Sequence, residues 1–552
     1  MIARALAVAA AGICAALLLM TARADEAAQK AVAVGESIYL RGTLGSGAPL
    51  EGVRPESGPS TRGMDAACVN CHQHSGLGSE EGGLAIPPIT AEYLFHPVER
   101  GADQPLAYVD SMHGNRAPYT PATLARAIRA GLDSQGRPLS NLMPRFALDD
   151  ADMSALLAYL KKLSVRQVSG VTDSTLQFAT IFTADADPVK RRGVLDVLEH
   201  YVVEKNRFPL PPSPRMWSSA KTAYAKTMYM ANRHWQLHVW DLTGPASTWR
   251  AQLQRHLHDE PVYAVLSGLG GSNWAPVHEF CQENSLPCLF PNVEVPVEAE
   301  RDFYVLYFSK GVLLESELIA KKILDSSPEN RPRVVAQIYR RGDSGEPAAQ
   351  ALGAQLEAAG ISVRGRALPP QESPRALSAA LAASHGADAL VLWLRPADVA
   401  ALGSAPPVPG TVYMSGLMGG LEDTPLPAEW RERTHLAYPF DLPDRRGVRL
   451  DYPLGWFAFR HIPVVAVQVQ ADTYLACSLL TEVLKDSMAD VTSREYLIEQ
   501  LQGMIERRLV TGYYPHLTLA LNQRFASKGG YLAHFAAPQG TTLIAETPWT
   551  VP

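Results

Sequence analysis

The spacing of apolar residues changes near residue 170. Before that point, apolar residues recur three or four positions apart in three stretches, which predicts amphipathic helices. After it, short continuous apolar runs alternate with helical stretches, which predicts βαβ units and parallel sheets. The helical stretches are Gln29 to Arg41 with Val34, Ile38 and Tyr39, 121–130 with Leu124 and Ile128, and 150–160 with Met153, Leu156, Leu157 and Leu160.

Helix start and stop signals support this assignment. Thr120 followed by Pro121 predicts an N-cap and a first helical residue, and Gly131 predicts the end of that helix. Asp149, Asp150 and Asp152 open the last helix and Lys161 and Lys162 close it, so the charges complement the helix dipole.

The number of apolar runs after residue 170 suits two sheets better than one. They are "LQFATIFTA", "WQLHVWDLTG", "VYAVLSGLGG", "PCLFPN", "RVVAQIYRRG", "ISVRGRAL", "ALVLWLRP" and "TVYMSGLMGG", separated by helical segments such as "WRAQLQRHLH" and "EPAAQALGAQLEAAG". A longer helix is predicted from Val189 to Asn206. We therefore predict a multidomain protein, in which an all-α domain at 25–168 precedes an α/β two-lobed domain at 172–552.

The N-terminus predicts export. Arg4 precedes an apolar run from Ala5 to Met20, and Ala22-Arg23-Ala24 has the small-residue pattern of a cleavage site. Residues 1–24 are thus interpreted as a signal peptide for the periplasm, with an uncleaved anchor as the alternative. No second run is long enough for a membrane span.

Composition excludes one class of partner. The chain has 552 residues, too many for one core, with 47% hydrophobic and 19% charged residues and a net charge of −6. The basic excess of a nucleic-acid-binding protein is missing, so we expect no nucleic-acid partner.

The motif "CVNCH" carries the clearest chemistry. C-x-x-C-H attaches c-type haem: Cys68 and Cys71 form thioethers with the two vinyl groups, and His72 binds the iron. Structural zinc needs four ligands, and no third cysteine lies in residues 25–169. The flanking "SGLGSEEGG" is a loop, unlike the strand and helix around a thioredoxin-like pair.

The second axial ligand is predicted to be Met143, which precedes Pro144 in "GRPLSNLMPRF". Met112 and Met153 are rivals, although Met153 falls on an apolar helix face. His74 or His113 would give bis-His ligation instead. Met/His ligation raises the reduction potential of haem.

The other cysteines leave two alternatives open. Cys14 is removed with the signal peptide, and Cys477 is expected in a buried helix. Cys281 and Cys288 form either a disulfide or a pair of buried thiols, since the compartment is oxidising.

No catalytic signature was found in the second part. G-x-G-x-x-G, Walker and G-x-S-x-G motifs are absent, and no triad or carboxylate pair is recognisable. We therefore predict that the protein is not an enzyme. Ser267 in "SGLGGSN" either binds an anion through backbone N–H groups or belongs to an ordinary turn.

Residues 33–165 resemble a class I c-type cytochrome in "GESIYLRG", "CVNCH", "GRPLSNLMPRF" and "DADMSALLAYLKKLS", which occur in the family's order. The resemblance implies a helical fold with crossing first and last helices and one covalent haem c. Arg116 and Tyr119 would then either contact the haem propionates or serve as a surface arginine and a packed tyrosine.

Residues 172–552 resemble type I periplasmic binding proteins, of which the branched-chain amino-acid binding proteins are familiar members. The similarity lies in "VLSGLGGSN", "ENSLPCLFPN", "GVLLESELIAKKIL", "RVVAQIYRRGDSGEPAAQAL" and the closing "YYPHLTLALNQRFASKGGYLAHF". Unlike the family, this part lacks a glycine-rich start, and residues 206–235 look inserted. The resemblance implies a small ligand in a cleft lined by loops at the carboxyl ends of strands, with these candidates: Ser267, Gly268, Tyr339, Ser344 and Ser415.

These features together predict an exported haem electron carrier fused to a small-ligand-binding module. Its expected partners are a redox protein (a periplasmic dehydrogenase or another cytochrome) and a small polar metabolite. Two alternatives remain: a docking subunit of a periplasmic dehydrogenase, and an enzyme that reduces its own haem.

Overall fold

The computed structural model describes most of the chain in two units. The described residues are 25–55, 58, 60–81, 84–96, 116–163, 168–172, 174–207, 233–299, 302–371, 373–403, 408, 410–486, 493–520 and 522–552. The first unit comprises residues up to 168 with 493–499, and the second comprises the remainder from 169 onward. The predicted signal peptide, the segment 208–232 and the rival ligands Met112 and His113 lie outside the described residues.

The first unit contains five helices and five short strands among its described residues up to 163. The helices are α1 (25–41), α2 (Val69–His72), α3 (Ala91–Phe95), α4 (Pro121–Ala130) and α5 (Asp150–Leu160). The strands are β1 (Glu51–Val53), β2 (Ser60–Arg62), β3 (Ser79–Glu81), β4 (Leu84–Ile86) and β5 (Arg145–Phe146).

The first and last helices cross at Gly35, as the resemblance implied. A Cβ atom at Gly35 would lie 2.1 Å from the backbone oxygen of Ala155, so only glycine permits this approach of α1 to α5. One turn further on, the rings of Tyr39 and Tyr159 pack with centroids 5.2 Å apart. The crossing helices hold the core of this unit, which includes Ile38, Met153 and Leu156.

The predicted helix ends are confirmed. Thr120 accepts a hydrogen bond from the backbone of Thr123 in a capping box, Pro121 is the first helical residue, and Gly131 ends α4 with a left-handed φ of 68°. Asp149 caps α5 through the backbone N–H of Asp152.

The prediction of an all-α domain is wrong in one respect, because short antiparallel strands join the helices. β1 pairs with β2 and with β5, and β3 pairs with β4. Pairing satisfies backbone N–H and C=O groups that would otherwise lack partners.

The second unit contains two sheets. The strands are β6 (Thr175–Phe182), β7 (His234–Asp241), β8 (Ala264–Leu266), β9 (Cys288–Leu289), β10 (Val305–Leu306), β11 (Val334–Arg340), β12 (Ser362–Leu368), β13 (Ala389–Trp393), β14 (Val412–Ser415), β15 (Thr434–Tyr438), β16 (Tyr531–Phe535) and β17 (Leu543–Ala545). The five-stranded sheet of lobe 1 has the order β10-β9-β8-β6-β7, and the seven-stranded sheet of lobe 2 has the order β12-β11-β13-β14-β15-β16-β17.

Helices connect these strands. They are α6 (Pro188–Lys205), α7 (Trp249–Asp259), α8 (Ala275–Glu283), α9 (Val312–Leu324), α10 (Gly345–Ala358), α11 (Pro374–Ala382), α12 (Pro396–Ala400), α13 (Gly416–Gly419), α14 (Ala428–Arg431), α15 (Pro443–Arg460), α16 (Val467–Asp486) and α17 (Arg494–Ile505), of which residues 500–505 belong to this unit.

Burial explains the parallel pairing. Every residue of β13 is buried, as a central strand covered by helices on both faces requires. Within each sheet, neighbouring strands among β6 to β15 run parallel, whereas β16 runs antiparallel to β15 and forms a closing hairpin with β17. Two sheets, as predicted, thus share this unit. No helix in the described part of the chain combines the length and the apolar character that a membrane span needs.

Candidate functional site

The C-x-x-C-H motif forms a single helical turn. Cys68 caps α2, Cys71 lies on its exposed side, and His72 ends it with only 9% of its surface exposed. The two thiols are therefore close together beside a buried imidazole. This is the local arrangement that two thioether bonds and one iron ligand need.

The imidazole of His72 has one nitrogen engaged. Its Nδ1 lies 3.1 Å from the carbonyl oxygen of Pro87, which can only accept a hydrogen bond, so Nδ1 donates. Burial lowers the pKa of His72 to about 4, although this hydrogen bond opposes the shift. The ring is then neutral at pH 7 with Nε2 as its acceptor nitrogen, the form in which histidine binds iron. These residues fit a covalent haem c.

Met143 lies in the loop between α4 and β5. Its backbone N–H donates to the carbonyl of Ser140 at 3.2 Å, and its carbonyl accepts from the guanidinium of Arg145 at 2.6 Å. Its rival Met153 is 3% exposed and belongs to the core. His74 is half-buried two residues after His72. Met143 stays the predicted second ligand.

Arg116 and Tyr119 contact each other. The guanidinium of Arg116 lies over the ring of Tyr119 at 4.5 Å and donates to the carbonyl of Tyr93 at 2.7 Å. Both residues are buried, Arg116 at 5% and Tyr119 at 8% exposure. The protein itself thus engages part of this guanidinium, and its predicted contact with the propionates stays a prediction.

The second unit holds a cavity of about 450 Å³ between its two sheets. Its lining comes largely from loops at the carboxyl ends of parallel strands, as expected for a two-lobed α/β fold. The polar and charged side chains of the lining are Asp185, Asp187, Lys190, Asn292, Glu294, Ser309, Arg395, Gln468, Asp472 and Tyr514.

Both basic residues of the lining pair with Glu294. Arg395 donates to it at 2.6 and 2.9 Å and also to Asp343 at 2.6 Å, while Lys190 lies 3.2 Å away. Burial alone would raise the pKa of Glu294, but hydrogen bonds from Arg395 and the nearby cations hold it well below its usual range. The ion network is thus internally compensated.

The glycine-rich loop after β8 is closed by internal hydrogen bonds. Gly270 N–H donates to the carbonyl of Asn292 at 3.1 Å, and Gly271 N–H to the hydroxyl of Thr183 at 3.1 Å. Ser272 N–H donates to Asp185 at 3.0 Å. A Cβ at Gly271 would lie 2.2 Å from Asp185 Oδ2, so this close approach requires glycine.

Asp472 lies in the first turns of α16 and is 3% exposed. Its Oδ2 accepts from Tyr514 at 2.9 Å and from Gln468 at 2.6 Å. Among the described residues, none donates a hydrogen bond to Oδ1. Burial raises the pKa of Asp472 to about 7, against the opposing effect of these two hydrogen bonds.

None of the five ligand-binding candidates lines the cavity. The hydroxyl of Ser267 lies 3.0 Å from that of Thr473, and its backbone N–H donates to Leu289. Gly268 has a φ of 112° and approaches the oxygen of Ile181. The backbone N–H of Ser267 takes part in the sheet and is not available to an anion. Of the two predicted alternatives, Ser267 therefore fits the ordinary turn.

The other three candidates lie in lobe 2. Ser344 donates to Glu294 at 2.8 Å, and Ser415 donates to Glu315, so each supports a buried carboxylate. Tyr339 is half-buried on β11, beside the edge strand β12. All three lie near the carboxyl ends of strands, but other residues of the loops form the wall of the cavity.

The sequence reasoning did not identify Asp472, Glu294 or Arg395. Their signal was weak: Arg395 directly follows the buried run of β13, whereas Asp472 sits inside a helix with no recognisable motif. Cys281 and Cys288 are buried as thiols rather than joined as a disulfide, and Cys477 is buried in α16 as expected.

A family model matches most of the first unit. Residues 62–164 match the model of the family described as cytochrome c, which makes this a cytochrome c region. The match contains the C-x-x-C-H turn and Met143. Comparison with curated proteins gave no match.

Solved structures that are similar to this chain include three with the names of substrate-binding proteins. A fatty acid ABC transporter substrate-binding protein from Thermomonospora curvata is 15% identical, with a TM-score of 0.47, and covers 70% of this chain and 95% of its own. A leucine-binding protein from Thermotoga maritima is 14% identical, with a TM-score of 0.48, and covers 67% and 98%. A branched-chain amino acid binding protein from Streptococcus pneumoniae in complex with isoleucine is 9% identical, with a TM-score of 0.47, and covers 68% and 100%.

Proposed function

We propose that this chain is an exported one-electron carrier with one covalent haem c, joined to a module that binds a small molecule. The observation that carries the proposal is the buried His72, whose Nδ1 donates to the carbonyl of Pro87 at the end of the Cys68–Cys71 turn. We also propose that the protein works in the periplasm and catalyses no substrate conversion of its own.

The residues of the first unit have distinct roles in this proposal. Cys68 and Cys71 tether the haem, while His72 and Met143 bind its iron. When bound, haem c supplies reversible one-electron transfer, and a Met/His pair favours a high reduction potential. The carbonyl of Pro87 fixes the tautomer and ring orientation of His72.

The second role is supported by the cavity between the two lobes. A volume of about 450 Å³ suits a small molecule. Its position at the carboxyl ends of parallel strands is where α/β folds bind ligands. The expected redox partner is a periplasmic dehydrogenase or another cytochrome.

Mass spectrometry tests the haem assignment. The full chain, made in a host that matures c-type cytochromes, should carry the mass of one haem after denaturation. Replacing both Cys68 and Cys71 with Ser should remove that mass completely, whereas Cys477→Ser should leave it in place. A chain without haem, or with bound zinc instead, would contradict the assignment.

A thermal-shift screen tests the binding role. A ligand that binds only the folded state stabilises it by about 2.7 kcal/mol at 100 times its Kd. Amino acids, amides, amines, alcohols and small acids would be compared with the full chain. Binding of a dehydrogenase with no small-molecule effect favours the docking-subunit alternative, and substrate conversion with haem reduction favours the enzyme.

A further inference from the structure

The charged side chains that line the cavity in the second unit indicate which ligand charge it can accept. Four acids (Asp185, Asp187, Glu294 and Asp472) and two bases (Lys190 and Arg395) line it, so its formal charge is −2. This excess alone does not define a site. A ligand can bind most readily to those atoms that have no hydrogen-bond partner within the protein.

Groups that would bind an anion are already engaged. Arg395 and Lys190 both pair with Glu294, and the backbone N–H groups of residues 270–272 donate within the protein. The N-terminus of α6 is capped by the side chain of Asp187, which accepts from two backbone N–H groups at 2.9 and 2.8 Å. A ligand carboxylate would therefore compete with the protein's own carboxylates.

Two of the remaining acids are also satisfied. Asp187 accepts the two capping hydrogen bonds, and Asp185 accepts from the hydroxyl of Thr183 at 2.6 Å and from Ser272. Glu294 belongs to the ion network. Of these four acids, only Asp472 has a buried oxygen to which no described residue donates a hydrogen bond.

Asp472 also has no cationic partner among the described residues. In the described part of the chain, no lysine, arginine or histidine forms an ion pair with it. A buried carboxylate oxygen without a donor is unfavourable, so a ligand that supplies a donor there binds more tightly. Natural interiors rarely retain such an atom without a reason.

The surroundings of Asp472 are aromatic. The ring of Tyr514, whose hydroxyl donates to Asp472, packs against Phe308 and Phe440 with centroids 5.5 Å away in each case. All three aromatic residues line the cavity. A carboxylate beside aromatic faces is an environment that favours organic cations, through charge-assisted hydrogen bonds and cation–π contacts.

We propose that the cavity binds a small organic cation with a protonated amine, whose N–H donates to Oδ1 of Asp472. This inference rests on the proposed function, since it names the ligand class for the same cavity. Phe308, Phe440 and Tyr514 would form the apolar wall beside the amine, and the paired Arg395 and Glu294 would bound the opposite, polar side.

Isothermal titration of the full chain at pH 8, where Asp472 with its pKa of about 7 is ionised, tests this ligand class with ethylammonium, tetramethylammonium, propionamide and propionate. Ethylammonium should bind, propionate should not, and tetramethylammonium should bind more weakly because it has no N–H. In Asp472→Asn the affinity for ethylammonium should fall roughly tenfold to a hundredfold, the value of a hydrogen bond to a charged group. Asp259→Asn removes the same formal charge from an exposed position outside the cavity lining and should retain the affinity.

The outcomes separate this inference from the proposed function. Binding of propionate or propionamide without ethylammonium would overturn the cation assignment and leave the binding role intact. Equal losses in the two aspartate variants would show that overall charge decides, and would also overturn it. Failure of every compound in this set and in the broader screen would overturn both. Tryptophan fluorescence and circular dichroism of each variant establish that it is folded.

Discussion

The haem-attachment turn and the two-lobed cavity differ in how the chain encodes them. Five consecutive residues, Cys68 to His72, supply both tethers and one ligand, and a single helical turn arranges them. The lining of the cavity extends from Asp185 to Tyr514 along the chain. No single segment of the chain forms this cavity.

This difference determines which changes each site should tolerate. In the turn, Cys68, Cys71 and His72 each have one chemical task, so substituting one of them should remove that function without unfolding the protein. In the cavity, side chains such as Arg395 and Glu294 hold one another, so substitutions there should first affect stability. Eight of the nine tryptophans lie in the second unit, and the ninth, Trp217, lies outside the described residues. Tryptophan fluorescence therefore reports mainly on the second unit, and haem absorbance reports on the first.

The largest expected effect is spectroscopic. Met143→Ala should abolish the weak sulfur-to-iron band of the oxidised protein and lower the potential by a sizeable part of the roughly 0.8 V range set by axial ligands. Redox titration followed by absorbance measures both. Met153→Leu, a volume-conserving change in the core, should leave the band in place. If Met143→Ala leaves the spectrum unaltered, the ligand is Met112 or His113.

The next largest effect concerns the ion network of the cavity. Arg395→Met leaves Glu294 and Asp343 with an uncompensated charge and should lower the free energy of unfolding of the second unit by about 3 kcal/mol. Denaturant unfolding followed by tryptophan fluorescence measures the loss. Arg191→Met breaks the more exposed pair with Asp241 and should cost about 1 kcal/mol or less. Similar losses in the two variants would show that the network is not special.

The helix crossing of the first unit should respond to a smaller change. Gly35→Ala places a methyl group against the backbone of Ala155 and should destabilise this unit by about 1–3 kcal/mol. The expected loss appears in the haem absorbance during unfolding and not in tryptophan fluorescence. Gly447→Ala, in the interior of α15 with no atom within 4 Å, should instead stabilise the second unit by about 0.5–1 kcal/mol. Unchanged stability of Gly35→Ala would mean that the helices do not approach so closely.

The remaining expected effect is a pH dependence, which is spread over several pH units. Asp472 has a pKa of about 7 in the folded protein against 3.8 as its ordinary value, so the folded state retains a proton between these pH values that the unfolded state has released. Its contribution to stability is therefore full below pH 3.8 and is lost as the pH rises to about 7, with a slope of up to about 1.4 kcal/mol per pH unit.

Asp472→Asn should remove this slope, so the variant gains stability relative to the wild type as the pH increases from 5 to 7. Denaturant unfolding at a series of pH values measures the difference. Glu315→Gln should change the profile in the same direction, because burial raises the pKa of Glu315 to about 8. Parallel profiles for Asp472→Asn and the wild type would contradict the shifted pKa.

Local signals of the sequence predicted much of this protein. Helix caps at Thr120 and Asp149, the stop at Gly131 and the alternation of apolar runs with helical stretches reappear at nearly the same residues in the structure. The haem motif was recognisable because its chemistry requires a short, contiguous spacing. These features depend on neighbours within one or two turns, which the sequence shows directly.

Tertiary structure decided the rest. The short strands β1 to β5 form because separate segments of the chain meet, and the wall of the cavity is formed by residues other than the candidates Ser267, Ser344 and Ser415 at or after the strand ends. Asp472 became a candidate only when folding buried it beside Tyr514 with one oxygen unserved. A carboxylate in a helix has no such property by itself, because burial and hydrogen-bond supply depend on residues far away in the chain.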